Sequence, residues 1–202
     1  MTPEELEAWF YSDEVIPSQP TSEGELKFLT APPPKPPTHS YNKITIIQRS
    51  IEDGWVELYQ CYSQLDPVPD TVISYRYKAM RNLAIQSKYN IGKSSIKGQS
   101  VELLDVKKDA ILCVSAEVRI FYQNRDGSYK LVNGPFHRKF LDSYFPYKVT
   151  LDIDYPSAKL QFVKSIPASQ TGFKVEKKRN NLYIESVFAG KLNTEFVFKL
   201  LN

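Results

Sequence analysis

The chain has 202 residues, of which 42% are hydrophobic and 13% aromatic, and its formal net charge is +3. This length is typical of one domain and the apolar content is ample for a packed core, so an intrinsically disordered chain is excluded. The charge excess is below that of a dedicated nucleic-acid-binding domain. No apolar run reaches the ~20 residues that a membrane-spanning helix needs.

The first residues predict a short amphipathic helix over about residues 3–11. A Thr-x-x-Glu capping box opens this stretch, and Leu6, Trp9 and Phe10 then fall on one helical face. Such an apolar face needs a partner, so Trp9 and Phe10 are candidate binding residues. We assign residues 1–30 to an N-terminal arm that carries this helix.

A proline-rich segment, APPPKPPTHS at residues 31–40, follows the arm. Five prolines within six positions predict an extended polyproline II conformation. A semi-rigid linker is the simpler interpretation, and a docking peptide for an aromatic-lined groove is the alternative.

Residues 41–202 predict an all-β domain because the apolar pattern changes to a period of two. In the clearest stretch, Tyr147, Val149 and Leu151 alternate with polar residues, as in a half-buried strand. About ten such runs recur with turn signals between them, at the spacing of an antiparallel β-sandwich. No tryptophan lies between the two cysteines, so the antibody-type framework is not expected.

The two cysteines, Cys61 and Cys113, both fall in strand-like runs. Two buried free thiols and one disulfide are the alternatives for a chain of this size. Cys113 shares a partly polar strand face with Ser115 and Glu117, where a thiol is a poor core filler. This pattern favours the disulfide and an oxidising compartment.

The segment NGPFHRKFLDSYF, residues 133–145, predicts a short crossover helix near 135–144. Four apolar side chains fall on one helical face: Phe136, Phe140, Leu141 and Tyr144. Most of the polar residues fall on the outer face: His137, Arg138, Lys139 and Asp142. His137, Arg138 and Asp142 are candidate binding residues. Pro146 would then end the helix.

The sequence offers little for catalysis or metal binding. The chain has only two histidines and two cysteines, and none shows zinc-ligand spacing, so no metal and no cofactor is expected. His137 lies near Asp142 and Ser143 in sequence, but a catalytic triad is defined by geometry across a fold. Only eight glycines are present, without a phosphate-binding loop.

Three segments carry a resemblance to a protein class: LYQCYSQLDPVPD, YRYKAMRNL and NGPFHRKFLDSYFP. They resemble segments of uncharacterised periplasmic or lipoprotein-type proteins of Gram-negative bacteria, over the region from about residue 41 to the end. The resemblance implies an envelope location, with lipid anchoring left open, and a cleaved leader. The first residues of this chain do not form such a leader, since they lack a basic start and an apolar stretch. No catalytic residue is implied.

We therefore expect a non-enzymatic envelope-associated protein with a binding or structural role and an unknown protein or glycan partner. The alternative is a carbohydrate- or lipid-binding β-sandwich module, and an enzyme that uses His137 ranks below it. A cytoplasmic location is the alternative to the periplasm. Nucleic acid is not an expected partner.

Overall fold

The computed structural model describes residues 24–140, 143–156 and 158–201. Within them lie fifteen strands: β1 (Lys27–Phe28), β2 (Thr38–Thr45), β3 (Trp55–Ser63), β4 (Val68–Ser74), β5 (Met80–Lys97), β6 (Ser100–Arg119), β7 (Phe121–Gln123), β8 (Tyr129–Phe136), β9 (Arg138–Phe140), β10 (Ser143–Phe145), β11 (Tyr147–Asp154), β12 (Leu160–Ile166), β13 (Phe173–Lys178), β14 (Asn181–Ala189) and β15 (Leu192–Leu200). One four-residue helix, α1 (Ser50–Asp53), precedes β3. The helix predicted at about residues 3–11 lies outside the described residues.

The strands form a nine-stranded sheet, a four-stranded sheet and a two-stranded hairpin. The large sheet has the order β1-β14-β11-β2-β3-β6-β4, with β13 paired to β14 and β5 paired to β6. The small sheet has the order β12-β15-β8-β7, and β9 pairs with β10. The chain is thus all-β, as the period-two pattern predicts.

One hydrophobic core joins the inner faces of the two main sheets. Ile44, Leu58 and Leu151 from the large sheet and Leu131 and Phe198 from the small sheet belong to one buried cluster. Each of these side chains is at most 1% exposed. Two sheets that share a core by their inner faces have the packing of a β-sandwich, which confirms the predicted fold class.

Strands β2 and β11 pair in parallel, whereas the other pairs of the described strands are antiparallel. Their register runs from Tyr147 opposite Thr38 to Asp154 opposite Thr45. A parallel pair cannot be joined by a tight hairpin and needs a long connection. About a hundred residues, including strands β7 and β8 of the small sheet, provide it here.

The described residues of the segment, 133–140 and 143–145, form strand rather than helix, and the predicted crossover helix is wrong. Phe136 ends β8 opposite Leu192 of β15, and Arg138 pairs with Phe145 in the β9–β10 hairpin. The close approach of β15 explains the difference: a Cβ at Gly134 would lie 2.7 Å from the Leu192 carbonyl oxygen. Tertiary strand pairing therefore overrides the local helical period.

The predicted disulfide is present and joins neighbouring strands. Cys61 of β3 lies directly opposite Cys113 of β6, with the two Cα atoms 4.1 Å apart. The bridge faces away from the shared core, on the partly polar face that the sequence indicated. No helix within the described ranges is long and apolar enough to cross a membrane.

The first described residues are held against the β14–β15 turn. The Lys191 N–H donates to the Gly24 carbonyl oxygen, and Gly190 has a φ of +89°. A Cβ at Gly190 would lie 2.0 Å from the Glu25 carbonyl oxygen, a distance that no side chain tolerates. This turn thus requires glycine both for its backbone angle and for the close approach.

Gly190→Ala is therefore expected to destabilise the fold more than Gly98→Ala does. Both glycines have positive φ, but no atom lies within 4 Å of a Cβ at Gly98. We expect Gly98→Ala to cost about 1 kcal/mol for the backbone angle alone. The cost of Gly190→Ala should be roughly twice that or more, since the clash must also be relieved. Guanidinium unfolding compares the two, and equal losses would contradict the close packing of this turn.

Candidate functional site

A cleft of about 630 Å³ opens between β4 and the segment that leads from β8 into β9. Most of residues 65–77 line one side of it, and all of residues 133–139 line the other. Gln60 of β3 also lines the cleft. This volume is in the range of ordinary ligand-binding sites.

The cleft runs along the edge of β4, not over one of its faces. Successive side chains of a strand point to opposite faces, so a cleft above one face would be lined by every second residue. Here the consecutive residues 70–74 all line it. Among the described strands, β4 pairs only with β6, and Pro69 within β4 is typical of an edge strand. The free edge of β4, with the N–H and C=O groups that do not pair with β6, therefore borders the cleft.

Gln60 presents a hydrogen-bond acceptor whose orientation is fixed by a buried network. The Asn42 amide nitrogen donates to the carbonyl oxygens of Ser40 and Thr150, at 3.1 Å in both cases, so the Asn42 Oδ1 atom must accept. The Gln60 amide nitrogen donates to that oxygen at 2.5 Å. The remaining polar atom, Gln60 Oε1, is buried and has no hydrogen-bond partner among the described residues.

Asn133 presents a donor that is fixed in the same way. Its Oδ1 atom accepts from the Tyr77 hydroxyl at 3.0 Å and from the Gly134 N–H at 2.9 Å. Both partners are donors in this geometry, which identifies the accepting atom as oxygen and leaves the NH₂ group on the other side. Asn133 is 1% exposed, and its Nδ2 atom has no partner within the described part of the chain.

Unpartnered buried polar atoms are concentrated in this cleft. Five side-chain atoms of this kind occur among the described residues, and four belong to cleft residues: Gln60 Oε1, Tyr75 OH, Asn133 Nδ2 and His137 Nδ1. The Tyr62 hydroxyl lies close to that of Tyr75 and lowers the Tyr75 pKa, but the Tyr75 hydroxyl has no hydrogen bond of normal geometry. Buried polar groups are usually satisfied, so each of these atoms needs a further partner in the cleft, either an ordered water or a ligand group.

The phenols of the cleft stay neutral near pH 7. Burial raises the pKa of Tyr75 to about 12, against the smaller opposite effect of Tyr62. Burial also raises the pKa of Tyr147 to about 12 and moves the pKa of Tyr77 higher still. These groups can therefore donate and accept hydrogen bonds but are poor proton-transfer catalysts at neutral pH.

Three basic and two acidic residues line the cleft: Arg76, Arg138, Lys139, Asp66 and Asp70. Arg138 forms an ion pair with Asp66 and lies 5.1 Å from the centre of the Phe145 ring. Both contacts hold the guanidinium at the rim. The excess of basic side chains makes this rim mildly electropositive.

His137 is expected to titrate below its ordinary pKa of 6.5. Burial lowers this pKa, Arg76 and two lysines lower it further, and the Pro135 carbonyl oxygen opposes them. As the pH falls through 6.5, the unfolded chain binds the proton first. The folded state favours the neutral imidazole of His137. The free energy of unfolding is therefore highest above pH 6.5 and falls as the pH drops below that value. NMR titration of the imidazole checks this, and a midpoint above 6.5 would contradict it.

Two of the predicted site residues, His137 and Arg138, line the cleft. Asp142, Trp9 and Phe10 lie outside the described residues, so their roles stay predictions. The Cys61–Cys113 bridge is not part of the cleft lining. Sequence reasoning did not identify Gln60, Asn133 and the buried tyrosines as cleft residues, because residues distant in sequence fix their orientation. The one local signal of the unpaired edge of β4 was Pro69. No group of three or more His, Cys, Asp or Glu side chains within the described ranges could hold a metal ion.

Comparisons with known proteins show no family for this chain. No protein-family model and no curated protein matches the sequence. Among solved structures, a mutant M1 zinc metallopeptidase from Deinococcus radiodurans, bound to a Tyr-Ser-Ala substrate, aligns with 11% identity and a TM-score of 0.42. The unmutated enzyme aligns with 12% identity and a TM-score of 0.41. Each alignment covers 89% of this chain but only 43% of the metallopeptidase chain. At this level, the likeness carries no conclusion about function.

Proposed function

We propose that this is a non-enzymatic, envelope-associated binding protein that takes an extended segment of a partner protein along the edge of β4. The open edge in the cleft carries this proposal. An extended peptide can add a strand to such an edge through main-chain hydrogen bonds, while pockets beside it select side chains.

The fixed amides of the cleft fit a peptide. Gln60 Oε1 is an acceptor and Asn133 Nδ2 a donor, and both are buried in the cleft wall. An ordered water can link each of them to the N–H and C=O groups that a peptide brings. The neutral phenols of Tyr75 and Tyr77 can contact side chains of the peptide or donate to it. These groups bind without proton transfer, which supports binding over catalysis.

The disulfide supports an extracytoplasmic location. Structural disulfides persist in oxidising compartments such as the bacterial periplasm and are rare in the cytosol. We propose the periplasm or cell envelope on this ground together with the resemblance. Cell fractionation of the source organism tests it, because recovery in the cytosolic fraction with both thiols free would contradict it.

Panning a phage-displayed library of random 12-residue peptides tests the peptide-binding function. We expect selected peptides to bind, and methylation of alternate backbone nitrogens in a selected peptide to abolish binding, because edge pairing needs those N–H groups. Failure to select any peptide would overturn the proposal. A glycan array with hits in the cleft would favour the carbohydrate-binding alternative instead.

A matched pair of variants locates the binding. Tyr77→Phe removes the hydroxyl that fixes Asn133, whereas Tyr89→Phe makes the same change at a 61%-exposed tyrosine outside the cleft. Without this hydroxyl, the Asn133 amide is less firmly oriented for the peptide. If that weakens one hydrogen bond to the peptide, the cost is about 1 kcal/mol, so the Kd of a selected peptide should rise about fivefold in Tyr77→Phe. An unchanged Kd in Tyr77→Phe, or an equal rise in Tyr89→Phe, would place the binding elsewhere.

A further inference from the structure

We propose that the protein's own N-terminal segment, residues 1–23, occupies this cleft when no partner is bound and competes with the partner for it. The proposal rests on the proposed function of the cleft and adds its regulation. Three observations carry it: where the segment joins the described structure, the charge of the segment, and the groups that the cleft offers.

The segment joins the described structure beside the cleft. Gly24 lies against the Tyr144 ring, since a Cβ there would be 3.1 Å from a ring carbon. The Tyr144 ring in turn meets the imidazole of His137, with 6.1 Å between the ring centroids. His137 lines the cleft. Twenty-three residues can span about 75 Å when extended, so reach does not limit the segment.

The segment is acidic, whereas the cleft has three basic and two acidic side chains and so carries a small positive excess. Residues 1–23 contain six acidic residues and no lysine or arginine, so residues 24–202 carry a formal charge of +9 in a chain of +3. At the junction, Lys191 lies over the Tyr144 ring at 5.5 Å. Arg76 and Arg138 line the cleft beyond it. An acidic segment tethered at a basic rim is held there by charge complementarity at a high local concentration.

The cleft also offers contacts that this segment can use. Any polypeptide brings N–H and C=O groups to the edge of β4 and to the fixed amides of Gln60 and Asn133. Trp9 and Phe10 add two large aromatic side chains, and Tyr75 and Tyr77 of the cleft stack at 6.4 Å between ring centroids. An external partner would have to displace these contacts to bind.

A spin label on the full-length protein tests the contact. Ser12→Cys introduces the one thiol outside the disulfide, so a nitroxide can be attached there without reduction. We expect the label to broaden the backbone amide signals of cleft residues, for example Tyr75, Asn133 and Arg138. The same label at the exposed residue Asn180→Cys is the control, because this turn lies beside Asp154, at the opposite end of β11 from the cleft residue Tyr147. It should leave these signals sharp. Absence of broadening in the cleft, or broadening confined to another face, would overturn the proposal.

A charge-matched pair of variants tests the competition. Neutralising Glu4 and Glu5 to Gln should weaken the segment's hold, so a display-selected peptide should bind about twofold to tenfold more tightly. Neutralising the exposed residues Glu57 and Glu176 to Gln changes the net charge equally and should leave the affinity unchanged. Equal effects in the two variants would refute competition by the segment.

The two experiments separate this inference from the proposed function. If external peptides bind the cleft but the Ser12 label broadens nothing there, the regulation falls and the binding function stands. If the label broadens the cleft signals and no external peptide binds, the cleft binds only the protein's own segment, and the proposed binding of a partner is wrong.

Discussion

Replacing Phe198 by alanine is expected to lower the free energy of unfolding by about 3–5 kcal/mol. The Phe198 side chain is 0% exposed and lies in the core shared by the two sheets. Rings surround it: the centroids of Tyr155, Phe162 and Phe121 lie 5.2, 6.0 and 6.1 Å away. Alanine would leave a cavity among three aromatic rings that cannot collapse easily.

Val163→Ala in the same small sheet is the control for this prediction. Val163 is 45% exposed, so its truncation should change the free energy of unfolding by less than about 0.5 kcal/mol. Guanidinium unfolding measures both variants. A loss below about 2 kcal/mol for Phe198→Ala would mean that the small sheet does not pack on the large one as described.

Removing the disulfide is expected to cost about 2–4 kcal/mol. Cys61 and Cys113 are 52 residues apart in sequence, so the bridge closes a long loop and restricts the unfolded chain strongly. The double variant Cys61→Ala, Cys113→Ala removes the bridge without leaving a reactive thiol.

Reduction of the unchanged protein is the control for the disulfide prediction. Guanidinium unfolding with an excess of reducing agent should reproduce most of the loss measured for the double variant. If reduction has no effect while the double variant is destabilised, the loss comes from packing of the substituted side chains. If neither loses more than about 1 kcal/mol, the bridge does not stabilise the fold.

The parts of the fold that follow local rules were predictable from sequence. The alternation of apolar and polar residues from Tyr147 to Ile153 predicts a strand with one buried face. In the structure, the side chains of β11 alternate between buried and half-exposed along most of its length. The polar neighbours of Cys113 indicated a bridge on the outer face of β6. Both inferences use residues that are neighbours in sequence, where strand geometry alone decides which face a side chain takes.

The error at residues 133–145 has a physical cause. The aromatic spacing there fits a helix as well as it fits two short strands, and short apolar runs are ambiguous in this way. The outcome depends on β15, which approaches Gly134 from almost 60 residues further along the chain. The amide orientations in the cleft depend on similar long-range partners, since Tyr77 lies 56 residues from Asn133.

Hydrogen–deuterium exchange tests most directly whether a polypeptide pairs with the edge of β4. The full-length Glu4→Gln, Glu5→Gln variant is used, because its weakened N-terminal segment leaves this edge less protected before the peptide is added. We expect a saturating display-selected peptide to slow exchange of the backbone amides in residues 70–74. The exposed edge strand β5 should keep its exchange rates, since it lies outside the cleft lining. Unchanged exchange in residues 70–74, with the peptide bound, would mean that the peptide does not pair with β4.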